Sequence, residues 1–164
     1  MPYAYYHRLS AGRQRIYRRS DAIESVDLPD LEDLQPLVRN LDKALRSEKR
    51  RAVSSASQAL ADALTQSLEV EPVEVMVQLT RPRATRSELH GLYEPGPPGQ
   101  RARISVWMRT AQRRQVVAFR TFLRTFVHEV CHHLDYELYE LRESFHTQGF
   151  FQRESSLYRQ LMES

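Results

Sequence analysis

Residues 125–151 read TFVHEVCHHLDYELYELRESFHTQGFF, and within them His128, Glu129 and His132 stand in the order H-E-x-x-H. Four residues make about one turn of α-helix. If the stretch is helical, the two imidazoles project from one face, close enough to grip a single metal ion. Glu129 is rotated about 100° from His128 on the helical wheel, where it can address a water molecule on that metal. Two ligands, one general base and an open coordination position are what a zinc-dependent peptidase requires.

The neighbouring residues support a helix with the right two faces. With His128 at 0° and about 100° per residue, Thr121, Thr125 and His132 cluster between about 20° and 60°. Val116, Phe119, Leu123, Phe126, Val130 and Leu134 fall between about 160° and 240°. The apolar back must pack inward, which leaves the histidines on the opposite front. Cys131 reads as a packed thiol. His133, beside Phe122 and Phe126 on the wheel, reads as structural.

A catalytic zinc usually takes three protein ligands and leaves the fourth position to water. Leu138 stands where an H-E-x-x-H-x-x-G-x-x-H pattern needs its last histidine, and Asp135 replaces its glycine, which argues against the metzincin layout. His146 is the leading third ligand. It precedes a second amphipathic pattern over 148–162, carried by Phe150, Phe151, Leu157, Tyr158, Leu161 and Met162, whose start Thr147 can cap. Glu154 is the alternative: a charge among apolar positions is unusual, and it suits a ligand, a partner of a ligand imidazole or a helix-edge residue. Asp135 is a second candidate for orienting an imidazole. Glu137, Glu140 and Glu143 read as a solvated face.

HEVCH followed by His146-Thr147-Gln148-Gly149-Phe150 resembles the SprT-like zinc metallopeptidases, whose pattern is H-E-x-x-H, about a dozen residues, then H-x-x-x-[FW] opening a helix. The resemblance covers roughly residues 50–163 and implies a zincin-like peptidase core of helix, strands, active-site helix and final helix. It implies His128, His132 and His146 as zinc ligands, Glu129 as catalytic base, and Phe150 as the aromatic behind the third ligand. Two departures stand out: His146-Thr147-Gln148 replaces the common H-G-P start, and the cysteine-rich zinc ribbon of many members is missing.

The chain of 164 residues is long enough for one domain with a proper core. No apolar run reaches membrane-spanning length, and MPYAYYHRL lacks the apolar centre of a signal peptide. A single cysteine excludes an internal disulfide framework and fits a reducing cytosol, so a cytoplasmic location is expected. Net charge is only +3, but it is made of 22 arginines and 2 lysines. The arginines are densest at Arg13 to Arg19, at Arg81 to Arg86 and across Arg101, Arg103, Arg109, Arg113 and Arg114. Such clusters can bind phosphate, so nucleic acid is a candidate partner beside a protein or peptide substrate. The plainer explanation is a GC-rich genome, with the arginines on a solvated surface.

Periodicity predicts a short helix around Leu9 to Arg19 within an N-terminal segment of residues 1–29. A single domain over 30–164 follows, with helices over 30–47 and from Ala52 to near Leu68. Pro36 should be tolerated near a helix start. Alternation from Val73 to Leu79 predicts a half-buried strand, and 88–93 and 102–108 predict two more. Between them the run from Glu94 to Gly99 is the strongest turn signal. Gly91 inside its strand suggests a bulge or a close backbone approach. This strand, with His90 and Gly91, is the candidate edge for holding an extended substrate.

The expected fold is α+β: N-terminal helices, a small three-stranded twisted sheet, an active-site helix on that sheet and a C-terminal helix. The expected chemistry is peptide-bond hydrolysis with one zinc per chain, Glu129 as base and Tyr136 as candidate oxyanion stabiliser. Other readings stay open: a regulatory protease with one narrow substrate, a peptidase silenced by residues 1–29, or a non-catalytic basic DNA-binding protein with a structural zinc.

Overall fold

The computed structural model describes residues 2–80, 91–109 and 115–163. The fold is mixed α+β: among the described residues, five α-helices surround a small three-stranded sheet. A 3-10 turn at Ala4–Arg8 leads into α1 (Ala11–Asp21), α2 (Leu31–Ser47) and α3 (Arg50–Ser67). Strands β1 (Val73–Thr80), β2 (Gly91–Glu94) and β3 (Ala102–Arg109) follow, and then α4 (Phe119–Glu137) and α5 (Gln148–Met162).

The sheet order is β1-β3-β2. β3 is central, parallel to β1 and antiparallel to β2. Its centre, Ile104 to Met108, is buried throughout. Partnered residues share a face, so Val75 and Val77 point the same way as Ile104 and Val106, and so do Gly91 and Tyr93. That face meets α3 and α4, whose Val53, Leu60, Leu64, Phe122, Phe126 and Val130 belong to the same apolar core. β2 is an edge strand that packs against α4.

Three details differ from the periodicity reading. Pro36 is the sixth residue of α2, past the first turn, so the carbonyl of exposed Glu32 loses its helical donor. The strand expected over 88–93 is seen as Gly91–Glu94, with residues 88–90, including His90, outside the described residues. The acidic loop after α1 contributes Val26 and Leu28 to the core. It is pinned to α5 by Gln160, which donates to the Val26 carbonyl (2.7 Å) and accepts from the Leu28 amide (3.0 Å).

Candidate metal centre

α4 is built to face two ways. Phe122, Leu123, Phe126, Val127, Val130 and Leu134 are buried on it, while His128 and His132 are half-buried at its open side. Past Glu137 the chain reverses through Glu140, which has a positive φ of 53°. It returns to the same face with Ser144 and His146. Thr147 then starts α5, its hydroxyl accepting from the Phe150 amide at 2.9 Å, as a capping threonine should. The third imidazole is therefore fixed by a helix start.

His128, His132 and His146 come together: one ring nitrogen from each lies within 4.8 Å of the others. Nε2 of His146 is 3.0 Å from Nε2 of His132. Phe150, fully buried, lies against all three imidazoles with ring centroids 5.1, 4.7 and 5.0 Å from those of His128, His132 and His146. Three histidine ligands so placed can hold a metal ion.

Two of the imidazoles are oriented by oxygens on their outer nitrogen. Nδ1 of His128 is 2.6 Å from Oε1 of Glu154. Nδ1 of His132 is 2.7 Å from the Ser144 hydroxyl, which donates in turn to Oδ2 of Asp135 at 2.7 Å. A proton on each Nδ1 leaves the Nε2 lone pair turned to the common centre, the usual arrangement behind ligating histidines. Glu154 thus sits behind His128 and not in the ligand cluster, and Asp135 reaches His132 through Ser144. Three imidazole nitrogens with a carboxylate alongside are a donor set that can take a metal ion and leave it a position for water.

Asp135 is compensated by Arg153, a buried guanidinium 2.9 Å from its Oδ1. Arg153 also donates to the backbone carbonyls of Ser20 and Ile23 and to the Ser20 hydroxyl. The same corner binds the His146 loop: Ser20 and Thr147 share a hydrogen bond (3.0 Å), and Asp21 accepts from the Gly149 amide (3.0 Å). A Cβ on Gly149 would lie 2.5 Å from the Ser20 carbonyl, so only glycine permits this contact. Tyr5 donates to the His146 carbonyl at 2.9 Å. Residues from the first 23 therefore brace two of the three imidazoles.

Burial sets the protonation of the site. It pushes the His132 imidazole down to about 3, helped by His128 and His146 close by. Burial also lowers His146. Both are neutral, and available to a metal, at pH 7. Burial raises the Glu129 carboxyl to about 7, with His128 opposing and Glu154 adding to the rise.

β2 passes directly over the base. A Cβ on Gly91 would lie 2.9 Å from Cγ2 of Thr125 and 3.0 Å from Cγ of Glu129, so this glycine marks a close approach and not a bulge. Clefts open on both sides of Glu129. One of about 560 Å³ is bordered by His128, Arg120, Arg124 and Tyr158, and one of about 290 Å³ by His132, Tyr93, Tyr136 and Ser144. Tyr136 stacks on Tyr93 (5.9 Å, 15°), and Tyr93 in turn on His132 (6.3 Å, 22°).

His133 points elsewhere. Its Nε2 lies 2.6 Å from the Glu71 carbonyl, which can only accept, so Nδ1 accepts from the Tyr93 hydroxyl at 2.8 Å. Cys131 is buried and its thiol is held well above the ordinary range by burial, which suits packing and not reactivity. Tyr93 carries a readable signal, since residues two apart on a strand share a face and Gly91 is itself legible as a close approach. Ser144, Arg153 and Tyr5 carry none.

Several arginines of the sequence clusters are engaged within the chain: Arg13 with Glu143 (3.0 Å), Arg103 with Glu74 (3.4 Å), Arg109 with Glu48 (3.2 Å). Arg81 to Arg86, Arg113 and Arg114 lie outside the described residues. Among the described residues, no helix is long and apolar enough to cross a membrane. Comparisons with protein families, curated proteins and solved structures returned no match.

Proposed function

We propose that this chain is a zinc-dependent peptidase of zincin type, and that the motif spacing it shares with SprT-like peptidases reflects the same chemistry. The observation that carries the reading is the convergence of three histidine nitrogens within 4.8 Å of one another beside the carboxyl of Glu129. His128, His132 and His146 would hold the zinc, which when bound would act as a Lewis acid toward a scissile carbonyl and lower the pKa of a water molecule toward about 7. Glu129 takes the proton from the attacking water and passes it to the leaving amine. Glu154, and Asp135 through Ser144, keep the ligand tautomers fixed while this happens. β2 offers an edge along which an extended peptide can lie, across Glu129 from one cleft to the other. Tyr136, bordering the cleft on the His132 side, is the group nominated to stabilise the oxyanion.

Unfolded casein incubated with the zinc-loaded protein should yield new amino termini. A chelator should stop their appearance and added zinc should restore it. Fragments that accumulate equally in the presence of chelator would contradict the proposal.

A further inference from the structure

We propose that the cleft beside His128 is a subsite for an acidic side chain of the peptide substrate, selected by Arg120. The proposal rests on the peptidase reading and adds a substrate class to it. The cleft, about 560 Å³, lies between α4 and α5 with Gly91 of β2 on a third side, and both His128 and Glu129 border it. A side chain that fills it therefore belongs to a residue flanking the scissile bond, and the volume accommodates a long one.

The charges in the cleft are unevenly satisfied. Glu154 is committed on both oxygens, to Nδ1 of His128 at 2.6 Å and to Arg124 at 3.4 Å. Arg124 is held over the Tyr158 ring at 4.2 Å, its side chain 47% exposed. Arg120 lies one turn earlier on the same helical face, is exposed, and has no ion-pair partner among the described residues. The uncompensated charge of this cleft is thus Arg120's, and a divalent cation on the three imidazoles would add to the positive field. A carboxylate entering the cleft meets one free guanidinium and one half-exposed guanidinium. A lysine entering it meets repulsion from both. Glutamine matches glutamate in shape, so the difference between them isolates charge.

The test uses ten-residue polyalanine peptides carrying one Glu, Gln or Lys at each position in turn. Binding is read by fluorescence anisotropy with zinc-loaded Glu129→Gln, and cleavage by mass spectrometry with the zinc-loaded natural chain. At one position Glu should bind about tenfold more tightly than Gln, with Lys weakest. Arg120→Glu should reverse the order of Glu and Lys at that position. Acid-selective binding without cleavage by the natural chain supports the subsite while removing the peptidase reading. No position that separates Glu from Gln, a preference that survives Arg120→Glu, or no peptide binding at all overturns the subsite.

Discussion

Replacing Glu129 by glutamine should stabilise the metal-free protein at pH 8 and leave its stability unchanged below pH 4. Glu129 is 6% exposed, and burial raises its carboxyl from 4.5 to about 7. Between those values the folded chain holds the proton more tightly than the unfolded chain, so stability falls as pH rises. Above pH 7 the full penalty of ionising a buried carboxyl is present, and below about pH 4.5 none of it is. The gap of about 2.5 pH units at about 1.4 kcal/mol each sets the upper limit of the penalty near 3.5 kcal/mol. Glutamine keeps the shape and removes the ionisation, so it should gain about 2–3 kcal/mol at pH 8. Urea unfolding of both proteins at pH 4, 6 and 8, with chelator present, measures this directly. A difference that is the same at pH 4 and pH 8, or a variant less stable at pH 8, would refute the reasoning.

Other perturbations separate the parts of the site. Ser144→Ala removes the bridge from His132 to Asp135 and should weaken zinc binding about 10- to 100-fold in a chelator competition. Its effect on thermal unfolding should be small. Arg153→Met leaves the Asp135 carboxylate buried without its partner and should cost about 3–5 kcal/mol in urea unfolding. Deleting residues 1–23 removes Tyr5, Ser20 and Asp21 from the His146 loop, so zinc affinity should fall and cleavage should not rise. Activation by this deletion, read as casein cleavage, would show instead that the segment is an inhibitor.

What the sequence made legible was local. The helices α2 to α5 follow from apolar spacing, and β1 follows from alternation, with Val73, Val75 and Val77 all buried. Thr147 as cap and Gly91 as a close approach could be read because each meets a local backbone requirement. His128, Glu129 and His132 stand on one helix, so their relative placement needs only the helical period. His146 required the chain to reverse through Glu140, and it was reached through the motif and the helix start after it.

The long-range features were not legible. The order β1-β3-β2 pairs strands that are not neighbours in sequence, and no local preference encodes that. Ser144 lies in a short loop of mixed residues, and its role exists only because Asp135 and His132 are brought to it from α4. Arg153 gave no sign of burial, since an arginine in a helix is ordinarily solvated. Only the carbonyls of Ser20 and Ile23, the Ser20 hydroxyl and Asp135 together make a site for its guanidinium. Tyr5 reaches the His146 carbonyl across 141 residues of chain.

The most direct measurement counts zinc and cleaved bonds in the same samples of the natural chain and Glu129→Gln. Both proteins should hold one zinc per chain, with casein cleavage by the natural chain and a rate at least about 100-fold lower in the variant. Equal cleavage by the two proteins, or a natural chain that holds zinc and cuts nothing, would contradict a zinc peptidase in which Glu129 is the base.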